Sequence, residues 1–236
     1  MSSYLKLILI AIFTTISSLI TLVLSLIDRS FASYYIFSKI YGKVVLFIAG
    51  VKVIAGGLEN LERGKPYVFV SNHSSQFDIP AFQAVVPGKV SIVSKKELAK
   101  IPLFGWQLRT GPYILIDRKR MDSAKRSIDT AKKMMSGKGV SVLLFAEGTR
   151  SKTGEVQPFK RGAFYLASRV GYPIIPVSIS GSNRIMPKGK FKIRSGKIIV
   201  HFGEPIATDN VNTRAEEIAL MENVREIVIK NLREDE

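Results

Sequence analysis

Short β-rich runs alternate with helical patterns along the chain from about residue 60 onward. Runs such as Val142-Leu143-Leu144-Phe145 are apolar on both faces, as is typical of strands covered by helices on each side. This alternation predicts an α/β domain with a mostly parallel central sheet flanked by helices. The predicted strands are residues 67–71, 90–94, 113–117, 140–146, 174–180 and 197–202. The predicted helices are residues 79–86, 122–136, 161–170 and 213–233.

An uncharged stretch of 21 residues, 7–27, precedes this region. As a helix it would extend roughly 31 Å, about the thickness of a hydrocarbon core. A second apolar segment, residues 31–51, carries Lys39 and Lys43, which lie on one helical face and could extend to lipid headgroups. Either the first segment spans the bilayer, or the two segments form a helical hairpin in one leaflet. The hairpin is favoured, because the second segment is too apolar for a linker and too charged for a span.

We therefore predict two regions, an N-terminal membrane-embedded helical hairpin in residues 1–58 and the α/β domain in residues 59–236. Nearly all Lys and Arg follow residue 28, so the positive-inside rule predicts that the α/β domain lies on the cytoplasmic side of a membrane.

The formal net charge of +16, from 35 basic and 19 acidic residues, predicts anionic partners such as nucleic acid, anionic lipid or phosphorylated substrates. Residues 89–133 hold 12 basic and 4 acidic side chains, and residues 184–197 hold 6 basic and none acidic. Beside a membrane-embedded terminus, such segments favour attraction to anionic headgroups over a merely solvated surface.

The chain has no cysteine, which excludes disulfides, thiolate nucleophiles and cysteine-ligated metals. Its two histidines, His73 and His201, are far apart in sequence, which argues against a histidine-built zinc site. No Gly-x-x-x-x-Gly-Lys-Ser/Thr loop is present, which disfavours a nucleotide-dependent enzyme. We expect no metal and no cofactor.

The segment Asn72-His73-Ser74-Ser75-Gln76-Phe77-Asp78 directly follows the first predicted strand. Histidine is the default general base near neutral pH, and an aspartate bonded to one ring nitrogen leaves the other free to take a proton. In parallel sheets, ligands bind beyond the C-terminal ends of strands, which is where His73 falls. The spacing alone is equally compatible with a helix-capping aspartate beside a structural histidine.

Three further blocks follow this segment in order. They are Lys95-Lys96-Glu97-Leu98 with Ile101-Pro102-Leu103-Phe104-Gly105-Trp106 and Ile116-Asp117-Arg118; Phe145-Ala146-Glu147-Gly148-Thr149-Arg150 with Phe159-Lys160-Arg161-Gly162; and Ile174-Ile175-Pro176-Val177-Ser178-Ile179. Over residues 60–205 the four blocks resemble the glycerolipid acyltransferase superfamily, and most closely the 1-acylglycerol-3-phosphate acyltransferases. Ala146 stands where the family usually has proline, a departure that bears on the rigidity of this loop and removes no functional side chain.

The resemblance implies transfer of an acyl group from a thioester, on acyl-carrier protein or coenzyme A, to the sn-2 hydroxyl of lysophosphatidic acid. It implies His73 as the general base and Asp78 as its orienting partner. Because a thiolate leaves readily, we expect direct transfer with no covalent enzyme intermediate. Residues implied to bind the acceptor phosphate are Arg118, Glu147, Gly148, Thr149 and Arg150. Residues that could support this site are Asn72, Lys95, Lys160 and Arg161. The expected partners are these substrates and an anionic membrane, without nucleic acid, and the expected state is a monomer.

Several alternatives stay open at this point. Glu147 could hold its loop instead of touching substrate, and Arg118 could be a solvated loop charge. The acceptor could be another lysophospholipid or glycerol 3-phosphate. A membrane-anchored basic adaptor for anionic lipid or nucleic acid would explain the charge equally well, but not the four ordered blocks. Neither the acyl donor nor the preferred acyl-chain length can be read from these patterns.

Overall fold

The computed structural model describes residues 1–117 and 121–234, and Arg118 therefore lies outside the described residues. Within them, seven strands form one sheet in the order β1-β7-β6-β2-β5-β3-β4. The strands are β1 (Val51–Gly56), β2 (Val68–Ser71), β3 (Lys89–Lys95), β4 (Ile114–Ile116), β5 (Val140–Phe145), β6 (Ile174–Ser180) and β7 (Gly196–Phe202). Every neighbouring pair is parallel except β6 and β7, which are antiparallel.

Helices cover both faces of the sheet. The helices are α1 (Ser3–Ile27), α2 (Ala32–Ala49), α3 (Asp78–Val85), α4 (Phe104–Thr110), α5 (Met121–Lys138), α6 (Arg161–Val170), α7 (Ser182–Ile185) and α8 (Arg214–Glu234). Side chains of β2 alternate between two cores, since Phe69 packs with α2 and α3 whereas Val68 and Val70 pack with α5, α6 and α8. The predicted fold class, a mostly parallel sheet flanked by helices, is confirmed.

All six predicted strands are present, with ends that differ by a few residues, and α3 begins at Asp78 instead of residue 79. The sequence analysis missed β1, because its apolar residues run on directly from the preceding apolar segment. This strand pairs with β7 from Val51↔Gly196 to Gly56↔His201 and so belongs to the sheet, although it lies within the predicted membrane-binding region 1–58. The membrane prediction thus applies to the helices before it.

The two N-terminal helices form a hairpin that packs on the α/β domain. Val45, Leu46 and Ala49 of α2 belong to the core between the sheet and α3. In α1 the Nζ atom of Lys6 donates to the carbonyl oxygen of Ala49, which brings the start of α1 to the end of α2. Among the described helices, α1 is the one long and apolar enough to cross a membrane, by length and composition alone.

Candidate active site

His73 and Asp78 form a hydrogen-bonded pair at the C-terminal end of β2. The distance from His73 Nδ1 to Asp78 Oδ2 is 2.6 Å. The imidazole stacks on the ring of Phe145, with centroids 4.0 Å apart, so that β2 and its neighbour β5 together fix the ring plane. Because Asp78 holds Nδ1, the tautomer with a proton there leaves Nε2 as the basic nitrogen.

Asp78 is itself held rigidly by the turn that opens α3. Its side chain is completely buried, and Oδ2 also accepts hydrogen bonds from the backbone N–H groups of Ser74 at 2.8 Å and Ser75 at 2.9 Å. Backbone donors favour a carboxylate. The spacing His-x-x-x-x-Asp therefore closes a turn in which Asp78 has two contacts at once. It accepts hydrogen bonds from backbone N–H groups, as a capping aspartate does, and it orients the imidazole of His73.

Glu147 lies behind His73 and away from solvent. Its Oε1 accepts a hydrogen bond from the backbone N–H of His73 at 2.8 Å, and the residue is 2% exposed. Burial raises the pKa of the Glu147 carboxyl to about 7, although the hydrogen bonds from His73 and Gln157 oppose that rise. The predicted contact of Glu147 with the acceptor phosphate does not fit this geometry. The alternative, in which Glu147 holds the loop, does.

The rest of the Glu147–Arg150 loop turns toward the open side of the site. Gly148 adopts a positive φ of 70°, a conformation that glycine reaches without steric cost. Thr149 is exposed, and Arg150 is half-buried against the same cavity as His73. Lys188, which no motif indicated, donates to the carbonyl oxygen of Arg150 at 2.7 Å and to Thr149 Oγ1 at 3.0 Å. Its only sequence signal was its membership of the basic stretch 184–197.

The four residues predicted to support the site have different surroundings. The Asn72 side chain is buried and bridges β2 to β6, because Nδ2 donates to the carbonyl oxygen of Ile179 and Oδ1 accepts from its N–H. Lys95 is exposed, and its Nζ lies 3.4 Å from Oε1 of Glu97. Lys160 is exposed at the start of α6.

Arg161 points away from the candidate site. Its Nη1 lies 2.8 Å from Oε2 of Glu217 on α8, a side chain that is 2% exposed and also 3.7 Å from Arg169. The support predicted for Arg161 is therefore corrected to a link between α6 and α8. Asn72 is bonded to the backbone of Ile179 on β6, and it thereby extends the pairing of β2 with β6 beyond Ser71.

A cavity of about 570 Å³ opens beside His73 and Arg150. It runs between the helical hairpin and the α/β domain, and α1, α2, α3 and α4 all contribute to its walls. Most lining side chains are apolar, including Phe37, Val45 and Leu108. Polar side chains line it too, and among them Gln107 Oε1 accepts hydrogen bonds from Thr21 Oγ1 at 2.6 Å and from the Tyr34 hydroxyl at 2.9 Å. The cavity could hold a long apolar group with its reactive end at His73.

A family model described as Acyltransferase matches residues 52–180, more than half of the chain. The chain belongs to this acyltransferase family. The acyltransferase is 29% identical over 212 residues to the 1-acyl-sn-glycerol-3-phosphate acyltransferase of Saccharomyces cerevisiae, with 89% of this chain and 69% of that relative covered. It is 33% identical over 175 residues to the enzyme of the same name from Limnanthes douglasii, with 74% of this chain and 62% of that relative covered.

A solved structure extends the likeness to the whole acyltransferase chain. The crystal structure of the 1-acyl-sn-glycerophosphate (LPA) acyltransferase PlsC from Thermotoga maritima matches with a TM-score of 0.82 and 26% identity. The match covers 98% of this chain and 94% of that one, so the helical hairpin is included along with the sheet. The family resemblance of the four sequence blocks is confirmed.

Proposed function

We propose that this acyltransferase moves a fatty acyl group from an acyl thioester to the sn-2 hydroxyl of lysophosphatidic acid and so produces phosphatidic acid. The observation that carries the proposal is the hydrogen-bonded pair of His73 and Asp78, 2.6 Å apart, with His73 lining the same apolar cavity as Arg150. The named activity of the relatives and of the PlsC structure supports the same substrate class.

The His73 imidazole acts as the general base. A secondary hydroxyl is a weak nucleophile at neutral pH, so His73 Nε2 takes its proton as the hydroxyl oxygen attacks the thioester carbonyl carbon. Asp78 keeps the Nδ1 proton in place and stabilises the imidazolium that forms. The tetrahedral intermediate then collapses: the C–S bond breaks, the C–O ester bond remains, and the thiolate takes up the proton from His73 Nε2, which returns the imidazole to its neutral form. No enzyme-bound acyl group is needed, because a thiolate leaves readily.

The acyl chain occupies the cavity between the hairpin and the α/β domain. At about 570 Å³ this cavity lies within the size range of small-molecule sites, and its walls are mostly apolar. His73 lines this cavity together with apolar side chains such as Phe77 and Met186, which suits a chain whose thioester carbon reaches the imidazole. The thioester donor is acyl-carrier protein or coenzyme A, since a basic surface suits either anionic carrier.

Arg150 binds the phosphate of the acceptor. A guanidinium can make two parallel charge-assisted hydrogen bonds to a phosphate. Arg150 shares the cavity with His73, and Lys188 holds its backbone from the adjacent loop. Gly148 and Thr149 shape the turn that carries the arginine. Arg118 stays a predicted phosphate ligand.

The protein binds the membrane through α1, which lies in one leaflet. The buried residues of α1 are all polar: Lys6, Ser17, Ser18, Thr21 and Ser25. Its exposed large residues are Tyr4, Leu5, Ile8, Leu9, Ile12, Ile16, Leu19, Ile20, Val23, Leu26 and Ile27. A helix with polar residues inside and apolar residues outside is suited to lipid, not to water.

Both ends of α1 are attached to the same α/β domain, which favours the one-leaflet alternative over a span. Near the start, Lys6 Nζ donates to Ser195 Oγ at 2.8 Å, and near the end Ser25 Oγ donates to Thr110 Oγ1 at 2.9 Å. A helix attached in this way lies along the domain instead of crossing a bilayer away from it. The distribution of basic residues supports a cytoplasmic α/β domain.

An acyl-transfer assay on the detergent-purified protein tests the function. Lysophosphatidic acid is offered with acyl-carrier-protein and coenzyme A thioesters in parallel, and phosphatidic acid is measured. We expect product with at least one donor, and a loss of product with His73→Ala whose fold is verified by circular dichroism. Absence of transfer from both donors, in folded wild-type protein, would refute lysophosphatidic acid as the acceptor.

A further inference from the structure

The loop between α7 and β7 carries an exposed aromatic residue within a run of cations. Residues 187–194, here called the basic loop, have the sequence Pro-Lys-Gly-Lys-Phe-Lys-Ile-Arg. Phe191 is 76% exposed, and its neighbours Lys190 and Lys192 are exposed too. A single exposed apolar side chain needs no explanation on its own. Phe191 is of interest because of where the basic loop lies.

The basic loop lies against the first turns of α1. The backbone N–H of Ile193 donates to Ser3 Oγ, and Lys6 of α1 donates to Ser195, which directly follows the loop. The exposed side chains of those first turns include Tyr4, which is 78% exposed, and Ile8, which is 56% exposed. Phe191 lies two residues before the contact of Ile193 with α1 and is flanked by exposed cations.

The other end of the basic loop reaches the candidate active site. Lys188 Nζ donates to the carbonyl oxygen of Arg150 and to Thr149 Oγ1. Ile193, which is buried, lines the cavity together with His73 and Arg150. One short loop thus touches both the lipid-facing helix and the turn that carries Arg150.

We propose that the basic loop is a second membrane contact, in which Phe191 enters an anionic bilayer and the exposed cations Lys190, Lys192 and Arg194 bind lipid phosphates. An aromatic ring among lysines suits the boundary between headgroups and acyl chains, where the ring is buried and the ammonium groups stay in water. On the proposed function, this contact also holds the Thr149–Arg150 turn at the depth of the acceptor's headgroup, through Lys188.

The absence of native cysteine makes a direct test straightforward. Single cysteines are placed by Phe191→Cys, by Ile16→Cys on the exposed face of α1, and by Tyr165→Cys on α6, which covers the opposite face of the sheet. Each full-length variant is labelled with an environment-sensitive fluorophore and reconstituted with vesicles of phosphatidylcholine alone or mixed with phosphatidylserine. Brominated lipids then report how deeply each label lies.

We expect a blue shift and quenching at positions 191 and 16, and neither at position 165. The signal at 191 should be stronger with phosphatidylserine. Lys190→Gln with Lys192→Gln should lower the partition coefficient read from the quenching at 191 by roughly 25-fold at limiting anionic lipid, since each interfacial cation gives about a fivefold effect. The same double variant should raise the KM for lysophosphatidic acid in vesicles and leave the KM in detergent micelles unchanged.

Quenching at position 16 without any at 191 would overturn the proposal while leaving membrane binding by α1 intact. A label at 191 that responds to acidic acyl-carrier protein but not to vesicles would also overturn it and would identify the loop as a protein-docking surface. Quenching at 191 in a protein that transfers no acyl group to lysophosphatidic acid would uphold the membrane contact and refute the proposed function instead.

Discussion

The buried carboxylate of Glu147 lies 2.8 Å from the backbone nitrogen of His73. A buried acid with a pKa near neutrality thereby holds the backbone of the candidate general base. The two residues are far apart in sequence and meet because β2 and β5 are neighbours in the sheet.

The burial of Glu147 gives a pH-dependent stability. Folding raises the pKa of the Glu147 carboxyl from its ordinary value of 4.5 to about 7, so the folded state binds more protons within that window. The contribution of Glu147 therefore destabilises the protein as pH rises through the window, by on the order of 3 kcal/mol. Glu147→Gln keeps an acceptor oxygen for His73 and removes the titration. We expect the melting temperature of the variant, relative to that of wild type, to increase between pH 5 and pH 8. A difference in melting temperature that does not change with pH would contradict this explanation.

The pair of His73 and Asp78 predicts unequal losses of activity. His73→Ala should lower kcat by about 10²–10⁴-fold, the usual contribution of a general base. Asp78→Asn keeps an acceptor for the N–H groups of Ser74 and Ser75 but loses the charge beside the imidazole. We expect it to lower kcat severely with little change in either KM. Steady-state kinetics with verified folding measures both, and full activity of Asp78→Asn would exclude an orienting role.

Arg150 is expected to act on the acceptor alone. Arg150→Ala removes charge-assisted hydrogen bonds to the phosphate, so the KM for lysophosphatidic acid should rise roughly 10- to 100-fold. The KM for the acyl donor should change little. Lys152→Ala, which removes an exposed cation two residues further on, serves as the matched control. Equal increases in both KM values would show that Arg150 does not distinguish the two substrates.

Arg161 is expected to affect stability and not acceptor binding. Among the described residues, Arg161→Ala leaves the buried carboxylate of Glu217 with the longer contact to Arg169 alone. The free energy of unfolding should fall by about 1–3 kcal/mol, while the KM for lysophosphatidic acid stays unchanged. Thermal denaturation and kinetics on the same preparation test this, with Lys160→Ala as an exposed neighbour. A raised acceptor KM without a loss of stability would restore Arg161 to the site.

The position of α1 predicts a one-sided topology. A cysteine introduced by Ser2→Cys, at the start of α1, should react with a membrane-impermeant maleimide from the same side as one introduced by Lys152→Cys in the α/β domain. Inverted and right-side-out vesicles provide the two accessible faces. Labelling of the two positions from opposite sides would instead establish that α1 spans the bilayer.

The local patterns of this sequence determined much of the fold. Continuous apolar runs made the strands of the buried sheet recognisable, and helical periodicity identified α3, α5, α6 and α8. The spacing of His73 and Asp78 was equally informative, because five residues are enough to close the turn that joins them. The β1 strand was not predicted, because its apolar residues continue directly from those of α2. Its pairing with β7 is what distinguishes the strand from the helix.

The sequence alone predicted most of the strands and helices and the pairing of His73 with Asp78, since both depend on neighbours along the chain. Only the tertiary structure decided the partners of side chains whose charge or size leaves several choices open. It assigned Glu147 to the backbone of His73, Arg161 to Glu217, and Lys188 to the carbonyl of Arg150. It also turned the polar face of α1 inward. The physical reason is that a carboxylate, a guanidinium or an ammonium group binds whatever opposite charge or backbone dipole lies within about 3 Å. The arrangement of strands, helices and loops in the fold decides which group lies that close.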